Sequence, residues 1–512
     1  MATAHRPLPA STSHLVIGAG FSGLCAAIKL AEAGEHDVVV VDKGPDVGGT
    51  WRDNTYPGAA CDVPSQLYSF SFARNPDWSM SFSPQPEIQA YLQRVARESG
   101  LMDRFWFGTD VEDASYDDTT QRWVVRTSHG TVEAQTLIVG AGGLSEPRLP
   151  DIEGIESFGG EIFHSARWNH DVDLAGKRIA VIGTGASAIQ IVPKLQEVAG
   201  HLDVYQRTAP WVIPRNDRSY TRAERAVFRR SALVQKAYRA GIYFGREVYV
   251  PAFAKQPKLA APAKALALAN IRLGIKDPEL RRQVTPHFEL GCKRVLISNT
   301  YYPALAADNT ELVTEPISRI TSTGVVTAGG TERAVDVLVV ATGFHTTDHP
   351  IADVIHGRGG RSLAQVWRES GQAAYKGTTV HGFPNFFQLV GPNTTLGHSS
   401  MVFMIETQVG YVVDAIRTMR EHRYATVEPK SSAQAAWNRD VQERMGPSVW
   451  NTGGCSSWYL DEHGRNTIIW PRTTIAFRRL LHRFDIAAYD VTSAIPEMGT
   501  PTRRSEVEEV GA

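Results

Sequence analysis

Three groups of residues in this chain have types and spacings suited to redox chemistry on bound nucleotides. Gly18-Ala19-Gly20-Phe21-Ser22-Gly23 and Gly183-Thr184-Gly185-Ala186-Ser187-Ala188 each follow the pattern of a glycine turn around a pyrophosphate. In such a turn the first glycine permits a tight strand-to-helix bend, and the second lets the backbone approach the phosphate. The third lets helix and strand pack closely, and alanine, as at Ala188, is admitted there. The phosphate then rests on free N–H groups at the positive end of the helix. The third group is cationic: Arg207, beside Thr208, and the adjacent pair Lys293 and Arg294. One glycine turn is a weak signal. Two, each between an apolar strand and a helix, imply two dinucleotides in one enzyme, as a flavin needs if a nicotinamide is to reduce it.

The two turns differ at the end of the strand that follows. After the first, the apolar run 38–41 ends in Asp42, 24 residues beyond Gly18, near the spacing of a ribose hydroxyl partner. After the second, the run 202–206 ends in Arg207, which suits a 2′-phosphate that an acid would repel. The expected cofactors are therefore FAD at the first turn and NADPH at the second. Between them lies Gly48-Gly49-Thr50-Trp51-Arg52-Asp53-Asn54-Thr55-Tyr56-Pro57-Gly58-Ala59-Ala60-Cys61-Asp62. It follows the first unit closely and should lie against the first cofactor, where Thr50, Asp53 and Asp62 could address a ring and its sugar chain. A structural loop around a packed Trp51 is the alternative. Lys293 and Arg294 could serve two separate anions, or sit in surface salt bridges.

The elements that must position these groups alternate between strand and helix. That alternation predicts an α/β fold: two Rossmann-like dinucleotide-binding domains with a helical insertion. The expected strands are 14–17, 38–41, 178–182 and 202–206, with later strands at 137–142 and 338–343 returning to each nucleotide site. The expected helices are 21–33, capped by Gly34, 186–198 with a kink at Pro193, and 402–419. The expected divisions are a flexible tail 1–13, a first FAD-binding part 14–146, a first NADP-binding part 147–212, a helical insertion 213–295, a second NADP-binding part 296–380, a second FAD-binding part 381–495 and a disordered tail 496–512.

A length of 512 residues exceeds what one core supports. Hydrophobic content of 42% and charged content of 21% are those of an ordinary globular protein. A net charge of −1 makes nucleic acid an unexpected partner, but it hides an asymmetry: residues 211–294 hold 18 Lys/Arg against 6 Asp/Glu. That excess either attracts a phosphorylated cofactor or an anionic surface, or forms solvated helix faces. The aromatic-rich stretch 241–253 inside it is expected to pack against other helices, so membrane-surface contact is not expected. No run of 18 apolar residues suggests a transmembrane helix. The N-terminus lacks a signal peptide's apolar run. Cys25, Cys61, Cys292 and Cys455 form no CxxC and suggest no disulfide framework, so a reducing cytoplasm is the expected setting.

Two segments carry a family resemblance. Phe158-x-Gly160-x-x-x-His164-x-x-x-Trp168 and the stretch 48–62 resemble the fingerprints of FAD-containing, NADPH-dependent Baeyer–Villiger monooxygenases, which are class B flavoprotein monooxygenases. Asn169 stands where the family has Pro or Asp. Trp168 stands where related flavin-containing N/S-monooxygenases usually carry Tyr. The resemblance spans about residues 14–490. It implies that Arg294 is the active-site arginine, Asp62 its partner, and Lys293 a phosphate-binding lysine. Arg207 and Thr208 match the grip on the 2′-phosphate. Thr50, Trp51, Arg52, Asp53, Tyr68 and Val111 would be flavin contacts. Trp458, in Cys455-Ser456-Ser457-Trp458-Tyr459, resembles a mobile-loop tryptophan that touches NADP. His164 would support a hinge rather than move protons.

The implied chemistry is hydride transfer from NADPH to FAD, a C4a-peroxyflavin formed with O2, and its attack on a small ketone to give an ester or lactone. No metal is expected. Oxygenation of sulfur or nitrogen is the alternative within the same class. A flavoprotein that binds both cofactors without making an oxygenated product is the non-enzymatic one. The absence of CxxC speaks against a disulfide reductase.

Overall fold

Strands that are apolar on both faces need cover on both sides, and they form the centres of two sheets. The computed structural model describes residues 6–461 and 463–493. In the first sheet Val38–Asp42 is buried throughout and pairs in parallel with Ser11–Ile17, which pairs in parallel with Gly130–Val139. Phe105–Phe107 extends one edge in parallel. Arg122–Thr127 and Val111–Asp117 add an antiparallel wing, and Ile355–His356 pairs with its outer strand. Phe386–Gln388 also pairs with Gly130–Val139, so the chain returns to the first sheet after completing the second. Helices Phe21–Glu32 and Met401–His422 share one core beneath it, with Leu24, Ile28, Val409 and Ile416 buried.

The second sheet is parallel throughout, in the order Thr310–Val313, His201–Tyr205, Arg178–Ile182, Val337–Val340, Glu161–His164. Its helix is Ala188–Gln196, two residues shorter at each end than the periodicity suggested. Residues 186–187 belong to the phosphate turn. Pro193 stays inside this helix, where it lacks the N–H that would close on the Ile189 carbonyl.

The helical insertion runs through Arg222–Arg230, Ala232–Glu247, Val250–Ala254, Ala261–Gly274 and Pro278–Gln283. Its entry and exit strands, Val212–Ile213 and Leu296–Ile297, pair side by side. Thr221 and Glu224 form a capping box at the start of Arg222–Arg230.

Three expectations change. First, the stretch 241–253 is only partly packed. Val250 and Phe253 are buried and Tyr243 stacks on Phe403, but Phe244, Val248 and Tyr249 are exposed, Val248 at 74%. The reason lies in Ala232–Glu247, whose inner face is polar. Gln235 donates to Gln66 Oε1 (2.9 Å), Arg239 donates to the Gln66 carbonyl (2.7 Å), and Glu247 accepts from Thr474 Oγ1 (2.7 Å). Spaced four and eight apart, these residues share one face, claim the interior and turn Leu233, Phe244 and Val248 outward. Second, residues 6–13 of the expected tail 1–13 are placed against the fold, while residues 1–5 lie outside the described residues. The first strand begins at Ser11, and the Arg6 guanidinium lies 3.8 Å from the centroid of the Trp106 ring. The tail 496–512 lies outside the described residues. Third, Cys292 and Cys455, 163 residues apart, are disulfide-bonded. Local spacing cannot signal a pair that only tertiary folding brings together. Among the described residues no helix is long and apolar enough to cross a membrane.

His164 ends the edge strand of the second sheet. Its Nδ1 accepts from the Ala166 N–H (3.1 Å), and its ring stands edge-on to Phe344. Burial pushes its pKa down to about 4. The folded state therefore keeps it neutral, while the unfolded chain protonates it below about pH 6.5. Stability from this group is present above that pH and is lost as pH falls from about 6.5 toward 4. Thermal unfolding of His164→Asn should show a shallower loss of Tm between pH 7 and pH 5 than the parent. Parallel curves would contradict the buried neutral imidazole.

Candidate active site

The first glycine turn is built by close backbone approach. Gly18 has φ +100°, and a Cβ there would lie 2.6 Å from the Gly140 carbonyl oxygen. A Cβ on Gly20, in contrast, would meet nothing closer than 3.6 Å, so the turn is less crowded at its second glycine. Asp42 ends the strand beside it. Its Oδ2 accepts from the Ala19 N–H (2.7 Å), and its Oδ1 accepts from the Gly44 N–H and Arg52 Nη1 (both 2.7 Å). A carboxylate has about four acceptor sites, so one remains on Oδ2 for a ribose hydroxyl. Arg52 also grips Asp53 through both oxygens.

The stretch 48–62 lies directly against this turn. The Gly48 N–H donates to the Ala19 carbonyl (3.0 Å), and a Cβ on Gly49 would come 3.1 Å from Gly20 Cα. Thr50–Asp53 forms one helical turn there. Trp51 Nε1 donates to the Tyr68 hydroxyl (3.0 Å), and Phe21 meets the same tyrosine edge-on. Burial raises the Tyr68 pKa, so its hydroxyl stays protonated. Val111 opens the antiparallel wing two residues after Thr109, whose N–H donates to the Asp42 carbonyl (2.9 Å).

Asp62 ends the stretch and receives Arg294 across 232 residues of sequence. Arg294 Nε donates to Oδ2 (2.7 Å) and Nη2 donates to Oδ1 (2.8 Å). This two-point fit uses the planar fork that lysine lacks. Arg246, from the insertion, donates to the Asp62 carbonyl at 3.3 Å. Burial alone would raise the Asp62 pKa, but the Arg294 guanidinium overrides it and holds the carboxyl below its ordinary range. Asp62 in turn raises the pKa of Arg294 further, fixing its charge at every working pH.

The second glycine turn repeats the geometry. Gly183 has φ +116°, and a Cβ there would lie 2.5 Å from the Ala341 carbonyl oxygen, whereas one at Gly185 would meet nothing within 4 Å. Thr184 Oγ1 donates to the Thr208 carbonyl (3.1 Å), tying the turn to Arg207 and Thr208. Ala186 is exposed, Ser187 is half-buried, and Ala188 is buried as the first residue of the helix. Burial lowers the Lys293 pKa, and the charge of Arg207 lowers it further, so the two cations share one neighbourhood. Among the described residues neither is ion-paired to a carboxylate. Two clustered cations without an anion fit a phosphate group. The two turns, the open second glycines and this cation pair together suit two dinucleotides.

Gln190 and His398 gave no sequence signal, and Tyr56 and Tyr459 lay in quoted segments without a role of their own. Tyr56 donates to Gln190 Oε1 (2.9 Å) and Gln190 Nε2 donates to the Ala60 carbonyl (3.0 Å), joining the stretch 48–62 to the second domain's helix. Tyr459 is buried and lines a narrow cleft with Lys293, Arg294, Gly397 and Trp450. Its neighbour Trp458 is 43% exposed. His398, next to Gly397, is buried against Glu247 (Nε2–Oε1 3.3 Å). Outside the site, His201, Asp203 and Glu311 bring potential metal ligands together, but Arg333 already bonds both carboxylates.

The family model described as pyridine nucleotide-disulphide oxidoreductase matches residues 15–248. A Baeyer-Villiger monooxygenase from Streptomyces coelicolor is 48% identical over 482 residues, covering 94% of this chain and 93% of its own length. A second, from Pseudomonas aeruginosa, is 46% identical over 498 residues, covering 96% and 94%. Among solved structures, OTEMO in complex with FAD and NADP matches with a TM-score of 0.84 at 28% identity, over 94% of this chain and 99% of that one.

Charge-assisted hydrogen bonds contribute roughly 1.5–3 kcal/mol each, equivalent to about tenfold or more in binding. Arg207→Ala should therefore raise KM for NADPH by about tenfold or more while leaving NADH use nearly unchanged. Steady-state kinetics with both nucleotides decides this, and equal losses with both would contradict a 2′-phosphate contact.

Proposed function

This chain belongs to the Baeyer–Villiger monooxygenases, and from that premise we propose how its residues divide the reaction. The enzyme is FAD-dependent and uses NADPH and O2 to insert one oxygen atom beside a ketone carbonyl. Ketone, O2, NADPH and a proton give an ester or lactone, water and NADP+. Bound FAD, once reduced, supplies the electrons that activate O2. In our reading the first sheet, with residues 14–146 and the return of the chain from Ile355–His356 onward, holds FAD. The second, with residues 147–212 and 296–340, holds NADPH, and residues 213–295 are inserted between its two parts; the division expected at 380 falls earlier because Ile355–His356 already pairs with Val111–Asp117.

The observation that carries the assignment of roles is the two-point pair of Arg294 with Asp62. A guanidinium with a permanent charge favours an anionic oxygen nucleophile nearby. It also stabilises the negative charge that develops on the carbonyl oxygen as the new C–O bond forms. Nη1 takes no part in the pair with Asp62 and is available to that oxygen. Asp62 orients the fork and prevents it from swinging to another anion. Arg207 and Lys293 hold the 2′-phosphate. Asp42 holds a ribose hydroxyl of FAD, and the peptide N–H groups around Gly20 and Gly185 hold the two pyrophosphates. Thr50, Trp51, Arg52, Asp53, Tyr68 and Val111 shape the flavin side. Tyr459 closes the cleft beside Arg294 and Trp458 covers the nucleotide, which keeps water away from the reacting oxygen. His164 supports the edge of the NADP-binding sheet. We place the enzyme in the cytoplasm, where NADPH is available.

Arg294→Ala should retain FAD yet lose ketone oxygenation by about 10²–10³-fold in kcat, the usual cost of removing one oxyanion-stabilising group. Product analysis with a panel of ketones and thioethers checks this alongside the bound-flavin absorbance. Unchanged ester or lactone yield would remove Arg294 from the reaction. Retained sulfoxide formation with lost ester would show that only attack on the carbonyl needs this cation.

A further inference from the structure

The four cysteines fall into two classes. Cys25 and Cys61 are buried thiols, and burial raises both pKa values well above the ordinary thiol range. Neither is a useful nucleophile at neutral pH. Cys292 and Cys455 are joined to each other. Their positions matter: Cys292 immediately precedes Lys293 and Arg294, and Cys455 leads into Trp458 and Tyr459. The disulfide therefore ties the segment bearing the site's cations to the segment that closes over them.

The two segments also meet without the bond: the Glu289 N–H donates to the Gly453 carbonyl (2.9 Å), and Cys292 and Tyr459 share one buried cluster. A Cβ on Gly453 would lie 2.6 Å from Cys292 Cβ, so glycine is needed for the two strands of chain to come this close. Tyr459 packs into the Arg294 cleft, while Trp458 stays 43% exposed. Residues 453–461 are held as well by the buried Tyr459, whose carbonyl accepts from the Thr467 N–H (3.3 Å), and by the pairing of Asp461 with Arg465, so the disulfide is the covalent link among several non-covalent contacts.

We propose that Cys292–Cys455 is a thiol–disulfide exchange site for small dithiols, and that its opening releases the Trp458–Tyr459 segment from Arg294. The functional consequence rests on the ketone-oxygenating reading above. A dithiol's thiolate attacks Sγ of Cys455, the less buried of the two residues, and displaces Cys292 as a thiolate. Lys293 and Arg294, next in the chain, supply the positive field that makes that thiolate a good leaving group. The dithiol's second sulfur then attacks the mixed disulfide. Cys455 leaves as a thiol, and the reagent departs as its cyclic disulfide. The return step is two thiols and one hydrogen peroxide giving the disulfide and two waters. Disulfides in a reducing compartment are usually transient and catalytic or redox-sensing, in keeping with a bond between the segment that carries the site's cations and the one that covers them.

The test uses the FAD-loaded full-length enzyme, with and without anaerobic dithiothreitol, followed by iodoacetamide and peptide mass spectrometry. We expect no labelling before reduction. After it, Cys292 and Cys455 should be labelled, with Cys25 and Cys61 untouched and FAD retained. Reduction should increase proteolytic cleavage within residues 453–461 severalfold. It should also raise, severalfold, the hydrogen peroxide released per NADPH consumed with a ketone present, and re-oxidation should reverse both. Cys455→Ser should behave like the reduced enzyme and ignore dithiothreitol. If that variant fails to hold FAD, the reduced and oxidised parent still decide.

Two results overturn the proposal: a pair that stays unlabelled in the folded, reduced enzyme, or labelling of both cysteines with cleavage and peroxide release unchanged. Failure of the oxygenation reading looks different. It would appear as NADPH consumption without ester or lactone before any reductant is added, and labelling and cleavage would still report on the release.

Discussion

A cation beside a reacting oxygen is useful only if something fixes its direction, and here that is the carboxylate of Asp62. Both oxygens are engaged by one guanidinium, across 232 residues of sequence. The geometry couples two otherwise separate parts of the chain. Asp62 ends the stretch that leans on the FAD-side glycine turn, while Arg294 precedes the strand Leu296–Ile297 by which the chain leaves the insertion. The pair is thus a catalytic arrangement and a clamp at once. Removing one partner would leave the other charge partly desolvated and unmatched, which costs more than the pair contributes.

The same joint is reinforced by uncharged contacts. The carboxamide of Gln190, on the second domain's helix, accepts from Tyr56 and donates to the Ala60 carbonyl. Burial raises the Tyr56 pKa to about 12, so the phenol stays a donor. From the other side, Ala232–Glu247 brings Arg246 to the Asp62 carbonyl and Glu247 to His398 and Thr474. Burial would raise the Glu247 pKa, yet hydrogen bonds from His398 and Thr474 hold it below the usual carboxylate range. Ala232–Glu247 therefore meets the site with polar side chains, while its Leu233 and Phe244 face outward.

That inversion marks the limit of what could be read from the sequence. The two glycine turns, their flanking strands and the exchange of Asp42 for Arg207 were legible because local backbone geometry and residue type determine them. Gly18 and Gly183 both adopt positive φ and both approach the carbonyl of a late strand, Gly140 or Ala341. The α/β architecture followed from the same pattern. The packing expected for the stretch 241–253 holds only in part: its aromatic content suggested burial, whereas the inward register of Ala232–Glu247 at Gln235, Arg239 and Glu247 depends on partners at Gln66 and Thr474. The roles of Tyr459 and Gln190 and the Cys292–Cys455 bond were invisible for a similar reason. Each is defined by a neighbour more than a hundred residues away, and no local spacing encodes it.

The central claim is that Asp62 and Arg294 act as one unit, and a double-mutant cycle on kcat/KM for ketone oxygenation measures it most directly. The four enzymes are the parent, Asp62→Asn, Arg294→Lys and the double variant, each confirmed to carry FAD. If the carboxylate works by directing the guanidinium, the double variant should be little worse than Arg294→Lys alone. The coupling should then be on the order of 1 kcal/mol or more. Additive losses, with coupling near zero, would contradict the account and leave the two side chains as independent contributors.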